Sequence, residues 1–436
     1  MSHPEEIGSA PIERRPILVF LPSFHGGIAR YASEQARELA RRGEAILVLA
    51  TEALGLDETI NLRVREGLLT VGRTKRRTFR RLLSIICILV NQLLLVANIL
   101  RHRPKLVLFD GYSEILAPLW VWPHLMLKKT LGVHYAVTIH DPRRARQAGP
   151  QWWHDLSVWA GYLPFSIGMV HGLDDAKRAW IPRHVELVDV PHGIFSAIKG
   201  AQRDISDLRY RLGIGGTERV ALSIGYVADR KNLDIAIQAI AALPNFHLLV
   251  AGRQASATDR PVQFYMDLAA KLGVSHRVHF FEEYIPDDEI GAFFCAADVI
   301  MLTYKANFVS QSGILHLAAN WDKPVLASSG PGPLVETVRR HKLGIVVRPD
   351  SAEELAAGLQ RVFTPEYQRL GWSTFRHEAS WKENVDRLMA AVAGQEARLS
   401  GQKAGELTER SGPGVAPCRA KKAGPDRHEI EHAKRG

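Results

Sequence analysis

Arg230 and Lys231 follow the apolar run that opens "SIGYVADRKNLDIAIQAIAAL" (223–243) and directly precede an amphipathic helical pattern. A point charge, a guanidinium fork and free helix amides converging there suit a diphosphate. An exposed basic turn is the alternative, weakened because the pair stands at the carboxyl end of a strand pattern. His140 closes the buried run of "VTIHDP" (137–142), where an imidazole can donate to an anion or exchange a proton near neutral pH. A histidine held structurally by Asp141 is the competing reading. In "PSFHGGIARYASEQARELARRG" (22–43) a strand pattern meets Gly26 and Gly27 and a helix follows at once, so outward-facing amides favour an anion; a plain tight turn has the same pattern. Lastly, "SQSGILHLAAN" (310–320) predicts a helix beginning at Ser310, Gln311, Ser312 and Gly313, whose small residues let a ligand approach free N–H groups. Ser310 or Ser312 as a simple N-cap is the alternative. His316 lies one turn further in, as a ligand contact or as a buried core histidine.

The elements that must position these residues form two series. Apolar runs rich in Val, Ile and Leu alternate with helical patterns: ILVFL, AILVLAT, KLVLFDG, HYAVTIHD, FSIGMV and VELVDVPHG, then RVALSIG, FHLLVAG, RVHFF, DVIMLTY, PVLAS and GIVVRP. This predicts an α/β chain of two doubly wound, Rossmann-like parallel-sheet domains. Ligands in such sheets bind at the carboxyl ends of the strands, so a cleft between the domains is the natural site. The expected divisions are 1–200, 201–365, a C-terminal helical segment over 366–394 and a disordered basic tail over 395–436.

With 436 residues, the chain is long enough for two full cores. Its three cysteines, Cys87, Cys295 and Cys418, are widely separated, which argues against a disulfide framework or a Cys-based zinc site and fits a reducing compartment. The polar first sixteen residues lack an apolar signal core, so a cytoplasmic location is expected. A net charge of +10 favours acidic partners. Nucleic acid is not among those expected, because the cations are scattered or in the tail and lack interleaved aromatics.

Taken in order, GGIARYASEQARELARRG, VTIHD, VPHG, SIG with Lys231 six residues on, AADVIMLTY and the helix leading into KPVLAS resemble the family 4 retaining glycosyltransferases of GT-B fold, over about 15–393. The resemblance implies a nucleotide-sugar donor on the second domain and a glycan or lipid-linked acceptor on the first. It also implies transfer with retention, no cofactor, no bound metal and a C-terminal helix that crosses back to the first domain. The chain has no Asp-x-Asp, in agreement with the absence of a metal. On this resemblance Gly26 and Gly27 line the donor phosphates and acceptor, His140 lies by the reacting sugar, and Lys231 holds the diphosphate. Tyr226 stands where the family usually has an Arg, with Arg230 as its substitute. Phe308 and His316 stand where it usually has two Glu. His316 is then expected to accept from a ribose hydroxyl, with Ser310 and Ser312 taking the sugar in place of the first Glu. A catalytically impaired GT-B scaffold serving as a partner subunit is the alternative that the missing carboxylates allow.

The segment over 82–100 nearly reaches the length that spans a bilayer. Asn91, Gln92 and Asn98 interrupt it, and a strand pattern follows, so a core-packing helix is expected. The preceding cations Lys75, Arg76, Arg77, Arg80 and Arg81 suit peripheral contact with an anionic membrane, at its inner face.

Overall fold

The computed structural model describes residues 15–22, 26–51, 56, 58–71, 77–110, 114–140, 149–172, 181–196, 205–256, 258–283, 285–286, 289–367 and 370–410. In the first half the elements run β1 (Ile17–Leu21), α1 (Gly26–Arg41), β2 (Ile46–Ala50), β3 (Leu62–Glu66), α2 (Arg77–His102), β4 (Leu106–Phe109), α3 (Ala117–Leu131), β5 (His134–Ile139), α4 (Gln151–Tyr162), β6 (Ile167–Val170) and β7 (Glu186–Asp189). The second half runs α5 (Ile205–Arg211), β8 (Arg219–Ile224), α6 (Leu233–Ala241), β9 (Phe246–Ala251), α7 (Val262–Lys271), β10 (Val278–Phe281), α8 (Ile290–Ala296), β11 (Val299–Thr303), α9 (Gly313–Ala318), β12 (Val325–Ser328), α10 (Pro333–Arg340), β13 (Gly344–Val346) and α11 (Ala352–Arg361). Two helices close the described chain, α12 (Trp372–Glu378) and α13 (Trp381–Arg410).

The strands form two sheets with orders β3-β2-β1-β4-β5-β6-β7 and β10-β9-β8-β11-β12-β13, every pair parallel. Parallel strands need helical crossovers, and helices on both faces leave the strands wholly apolar, as the sequence runs are. Alternation along β1 divides the first core. Leu18 and Phe20 pack with Leu95 and Ile99 of α2, Leu127 of α3 and Val158 of α4. Ile17 and Val19 pack with Ala36 and Leu39 of α1 and with Val385 and Leu388 of α13, so α13 returns to the first sheet.

Three expectations change. β3 was not among the expected strands, because LRVRE alternates apolar and charged residues at the sheet edge, where only part of the strand is buried. Helix α13 continues to Arg410, past the start expected for the tail at 395; residues 411–436 lie outside the described residues, as do Lys75, Arg76 and Asp141. The core-packing reading of α2 fails on its outer side. Asn91 and Gln92 are buried beside Leu95 and Ile99 on the inner side, while Leu82, Ile85, Ile86, Leu93 and Leu100 are exposed.

Candidate active site

Parallel register sets the first half of the site. Ile139 of β5 pairs with Val170 of β6, and Val170 with Asp189 of β7, so the residues just past these strands share one edge. They include His140, His171 and, two residues beyond Val190, His192. Tyr31 of α1 is the hub, with its ring 4.9 Å from that of His140, 5.3 Å from His171 and 5.2 Å from His192. His171 Nδ1 lies 3.0 Å from the Val190 carbonyl, and His192 Nδ1 lies 3.2 Å from that of Gly193. Each carbonyl fixes the proton on that nitrogen and leaves Nε2 as an acceptor. The Nε2 atoms of His140 and His171 are buried without a hydrogen-bond partner.

Burial holds this cluster uncharged. His140 is pushed down to about 3, by burial first and then by His171, against the opposing backbone of Asp110. His171 and His192 are lowered for the same leading reason. Asp110, at the end of β4, is pushed up to about 7 by burial, although its carboxylate accepts the Thr138 hydroxyl. A neutral imidazole with a free Nε2 accepts hydrogen bonds, so His140 here is suited to a sugar hydroxyl rather than to donating to an anion. Ring nitrogens of His140, His171 and His192 lie within 4.8 Å of one another, close enough to share a metal ion. Tetrahedral zinc places its nitrogens only about 3.3 Å apart, so binding would require the rings to move inward.

The second half lies where β8 separates strands wound in opposite directions, the place where such sheets bind ligands. Gly225 ends β8 at φ +91°, and a 3-10 turn over Asp229–Lys231 then leads into α6. Lys231 is buried, and its Nζ donates to the Ile224 carbonyl at 2.6 Å. No acidic side chain pairs with it among the described residues, and burial, followed by the neighbouring Arg230, pushes it down to about 7. A Cβ on Gly225 would lie 3.3 Å from Ile314 and 3.4 Å from Lys231 Nζ, which places the ammonium beside the first turn of α9. The side chain of Arg230 is exposed.

Helix α9 starts at Gly313, so Ser310, Gln311 and Ser312 belong to the preceding loop rather than to the helix expected to begin there. The Ser312 hydroxyl pairs with that of Tyr304 at 2.9 Å, buried and turned away from the backbone amides, so it is neither a plain cap nor open to a sugar in this state. Gln311 Nε2 donates to Thr337, and its Oε1 accepts from Ser312 N–H. Phe308 stacks on Tyr304 at 4.0 Å. His316 is buried between His192, 4.3 Å away ring to ring, and Phe375 at 5.2 Å. Neither of its ring nitrogens has a hydrogen-bond partner. It is buried, as the core-histidine alternative expects, with the Gly193 backbone favouring its charged form against burial, and in this state it faces the first domain instead of an open ribose pocket. Burial, with His171 adding, holds it at about 3.

The halves meet at α9. A Cβ on Gly313 would lie 3.4 Å from Phe195 and 4.0 Å from His192, so this turn touches the first domain on one side, while Ile314 flanks Gly225, the neighbour of Lys231 Nζ, on the other. His140, His192 and His316 thus form one chain of ring contacts, and Lys231 stands across Gly225 from Ile314 of the same helix turn. Gly26 and Gly27 begin α1, the helix that supplies Tyr31; Gly27 is exposed, with open space around it. His171, Tyr31 and Asp110 were not expected from sequence, and His192 was visible only as part of VPHG. Their signal is positional: Asp110 and His171 each stand just beyond a buried strand run, and His192 stands beyond the half-buried β7.

Two parallel sheets wound in this way and facing one cleft define the GT-B fold of glycosyltransferases. Residues 204–387 match the family described as "Glycosyl transferases group 1". D-inositol 3-phosphate glycosyltransferase of Mycolicibacterium gilvum (strain PYR-GCK) is 24% identical over 204 residues, which are 46% of this chain and 45% of that protein. The one from Mycobacterium tuberculosis (strain ATCC 25177 / H37Ra) is 25% identical over 250 residues, 56% of this chain and 48% of that protein. The chain spans about half the length of the curated relatives it matches. Sucrose-phosphate synthase from Thermosynechococcus elongatus shares the fold with TM-score 0.63 and 18% identity, over 90% of this chain and 100% of that one. So does Anabaena Alr3699/HepE in complex with UDP and glucose, with TM-score 0.60 and 18% identity, over 89% and 100%.

Proposed function

We propose that the chain is a glycosyltransferase that moves a sugar from a nucleotide-sugar donor to a hydroxyl of a glycan or lipid-linked acceptor, with retention of configuration and without a metal at the reacting bond. The observation that carries this reading is the buried amine of Lys231 at the β8 switch point, next to α9, with no acidic side chain paired to it among the described residues. Such a group is costly when empty and well matched to a diphosphate. The names of the relatives, and the UDP and glucose held by a neighbour of the same fold, agree with it.

In the reaction the bond between the anomeric carbon and the diphosphate oxygen breaks, and its electron pair stays on that oxygen. The acceptor oxygen bonds to the anomeric carbon from the face just vacated, and its proton passes to the departing diphosphate. Lys231 and Arg230 stabilise the charge that develops, while the free Nε2 of His140 accepts from a sugar hydroxyl and fixes the ring.

The test is release of nucleoside diphosphate from a panel of nucleotide sugars. Lys231→Ala should weaken donor binding and turnover, and His140→Ala should mainly slow transfer. Wild-type rates in both variants would show that the assigned cleft is wrong. Nucleotide binding without turnover of any donor would point to the partner-subunit scaffold.

A further inference from the structure

The layer formed by α2, α3 and α4 turns apolar side chains outward from all three helices. Phe79, Leu82, Ile86, Leu93 and Leu100 are exposed at helical spacing along α2, with Leu93 63% exposed. Leu119, Trp122 and Met126 do the same on α3, and Trp152, Leu156 and Trp159 on α4. The inner sides of the helices meet through Trp120, Val121 and Ala160, with Ile88 and Leu89 packed against them, so the three stripes share one layer. Helix α2 is apolar on both sides, and its inner side buries Asn91 and Gln92 beside Leu95 and Ile99. Asn91 faces inward and bonds both the N–H and the carbonyl of Leu69, and Gln92 meets His124 at 3.0 Å. An exposed apolar patch of this breadth marks an interaction surface.

Charge selects the occupant. Neither α2 nor α3 contains an acidic residue, whereas Arg80, Arg81, Arg101 and Lys129 are exposed on them; α4 adds one exposed carboxylate, Asp155, so the cations outnumber it. Tryptophans beside cations fit the boundary between headgroups and acyl chains. By length and composition α2 can cross a bilayer, but it is tied between β3 and β4 of one sheet by Asn91 and Gln92, which fits lying on the membrane rather than spanning it. Behind α2, at the carboxyl ends of β1 and β4, is a cavity of about 290 Å³ whose wall is mostly apolar, with Phe20, Leu69, Ile88 and Phe109 beside Cys87, and whose polar lining is Thr70, Ser84, Asn91 and Gln92.

We propose that the α2–α3–α4 face lies in the interface of an anionic phospholipid bilayer, and that the cavity behind α2 holds the alkyl chain of a membrane-lipid acceptor whose headgroup hydroxyl reaches the cleft. The acceptor part rests on the glycosyltransferase reading, and the docking part does not.

Flotation with phosphatidylcholine vesicles containing phosphatidylglycerol should recover the protein, and phosphatidylcholine vesicles alone should recover about tenfold less. Trp122→Glu with Met126→Glu, both on the outer side of α3, should abolish flotation while leaving the melting temperature and donor hydrolysis unchanged. Flotation by that variant, a wild type that does not float, resistance to carbonate extraction, or a dimer that the same substitutions dissolve would each overturn the docking surface. Lysophosphatidylglycerol should slow modification of Cys87 by N-ethylmaleimide, read by mass spectrometry, and an unchanged rate would overturn the cavity assignment. If vesicles bind and Cys87 is protected but no donor is turned over, the glycosyltransferase reading fails and the lipid site stands.

Discussion

At the scale of single residues, Lys231 and His316 are both buried at a cost that a ligand would offset. Burial lowers Lys231 from 10.5 to about 7, so in the empty protein it is largely neutral above neutrality. A diphosphate restores its preference for charge, so binding should take up a proton between about pH 7 and 10, and affinity should fall as pH rises through that window. Calorimetry of nucleoside diphosphate binding in two buffers of different ionisation enthalpy reads this directly; in Lys231→Met the uptake should vanish, and its persistence would assign the proton elsewhere. His316 has two unpartnered ring nitrogens in a buried place. An unpaired buried polar group costs about 1–3 kcal/mol, so His316→Leu should melt no lower than wild type when empty. The same variant should bind nucleotide sugar several-fold more weakly, because the ring is proposed to accept from the ribose once the cleft opens. A clear fall in melting temperature with unchanged nucleotide affinity would mean a packing role only.

At the scale of elements, α13 is the strap on which the first half of the site depends. Trp381 donates to the Ile194 carbonyl at 2.7 Å, and Asn384 donates to the Tyr31 hydroxyl and the Pro191 carbonyl, each at 2.7 Å, while accepting from Gln35. Asn384→Ala leaves several buried polar atoms unpaired and should cost on the order of 1–3 kcal/mol. Differential scanning calorimetry should show a lower Tm, with slower transfer because Tyr31 packs on the histidines. Gly193 is confined similarly: its φ is +75°, and a Cβ would lie 2.4 Å from the Trp381 ring, so Gly193→Ala should lower Tm further. Twelve of the strands were legible in the sequence, most of them because double-sided burial writes continuous Val, Ile and Leu runs; β7, a half-buried edge strand, kept enough Val and Leu to be read. β3 was not, since an edge strand is free to alternate. The outward face of α2 was illegible for another reason. With nearly every position apolar, periodicity cannot tell which side is core, and only tertiary contacts reveal that Asn91 and Gln92 point inward. His140 could be placed because it follows a strand run directly, and Lys231 because it lies in the turn between a strand run and a helix; the meeting of His192 with His316 could not, because it depends on how the two domains close.

At the scale of the whole molecule, the domains meet across groups that must stay uncharged, and this sets a pH limit on stability. His140 and His316 are held at about 3 against an ordinary 6.5, His124 inside the first domain is at about 4, and His171 and His192 are lowered as well, with burial the leading cause in each. Between the folded values and 6.5 the unfolded chain binds more protons than the native one, so stability is complete above about pH 6.5 and is lost on acidification toward 3. Asp110 acts in the opposite sense. Its carboxyl is raised from 3.8 to about 7, so the folded chain holds its proton more firmly and gains from that proton as pH falls. Each tenfold change in proton affinity is worth about 1.4 kcal/mol, so one carboxyl cannot match five lowered imidazoles and the histidines decide the sign. The expected outcome is a urea midpoint that falls steadily from pH 6.5 to 4. His316→Leu should flatten that slope, because it removes one titrating ring from the interface and lifts the charge repulsion that His192 feels. A midpoint independent of pH over this range, or an equal slope in the variant, would show that the cluster opens to water before the chain unfolds and that the two domains separate at little cost.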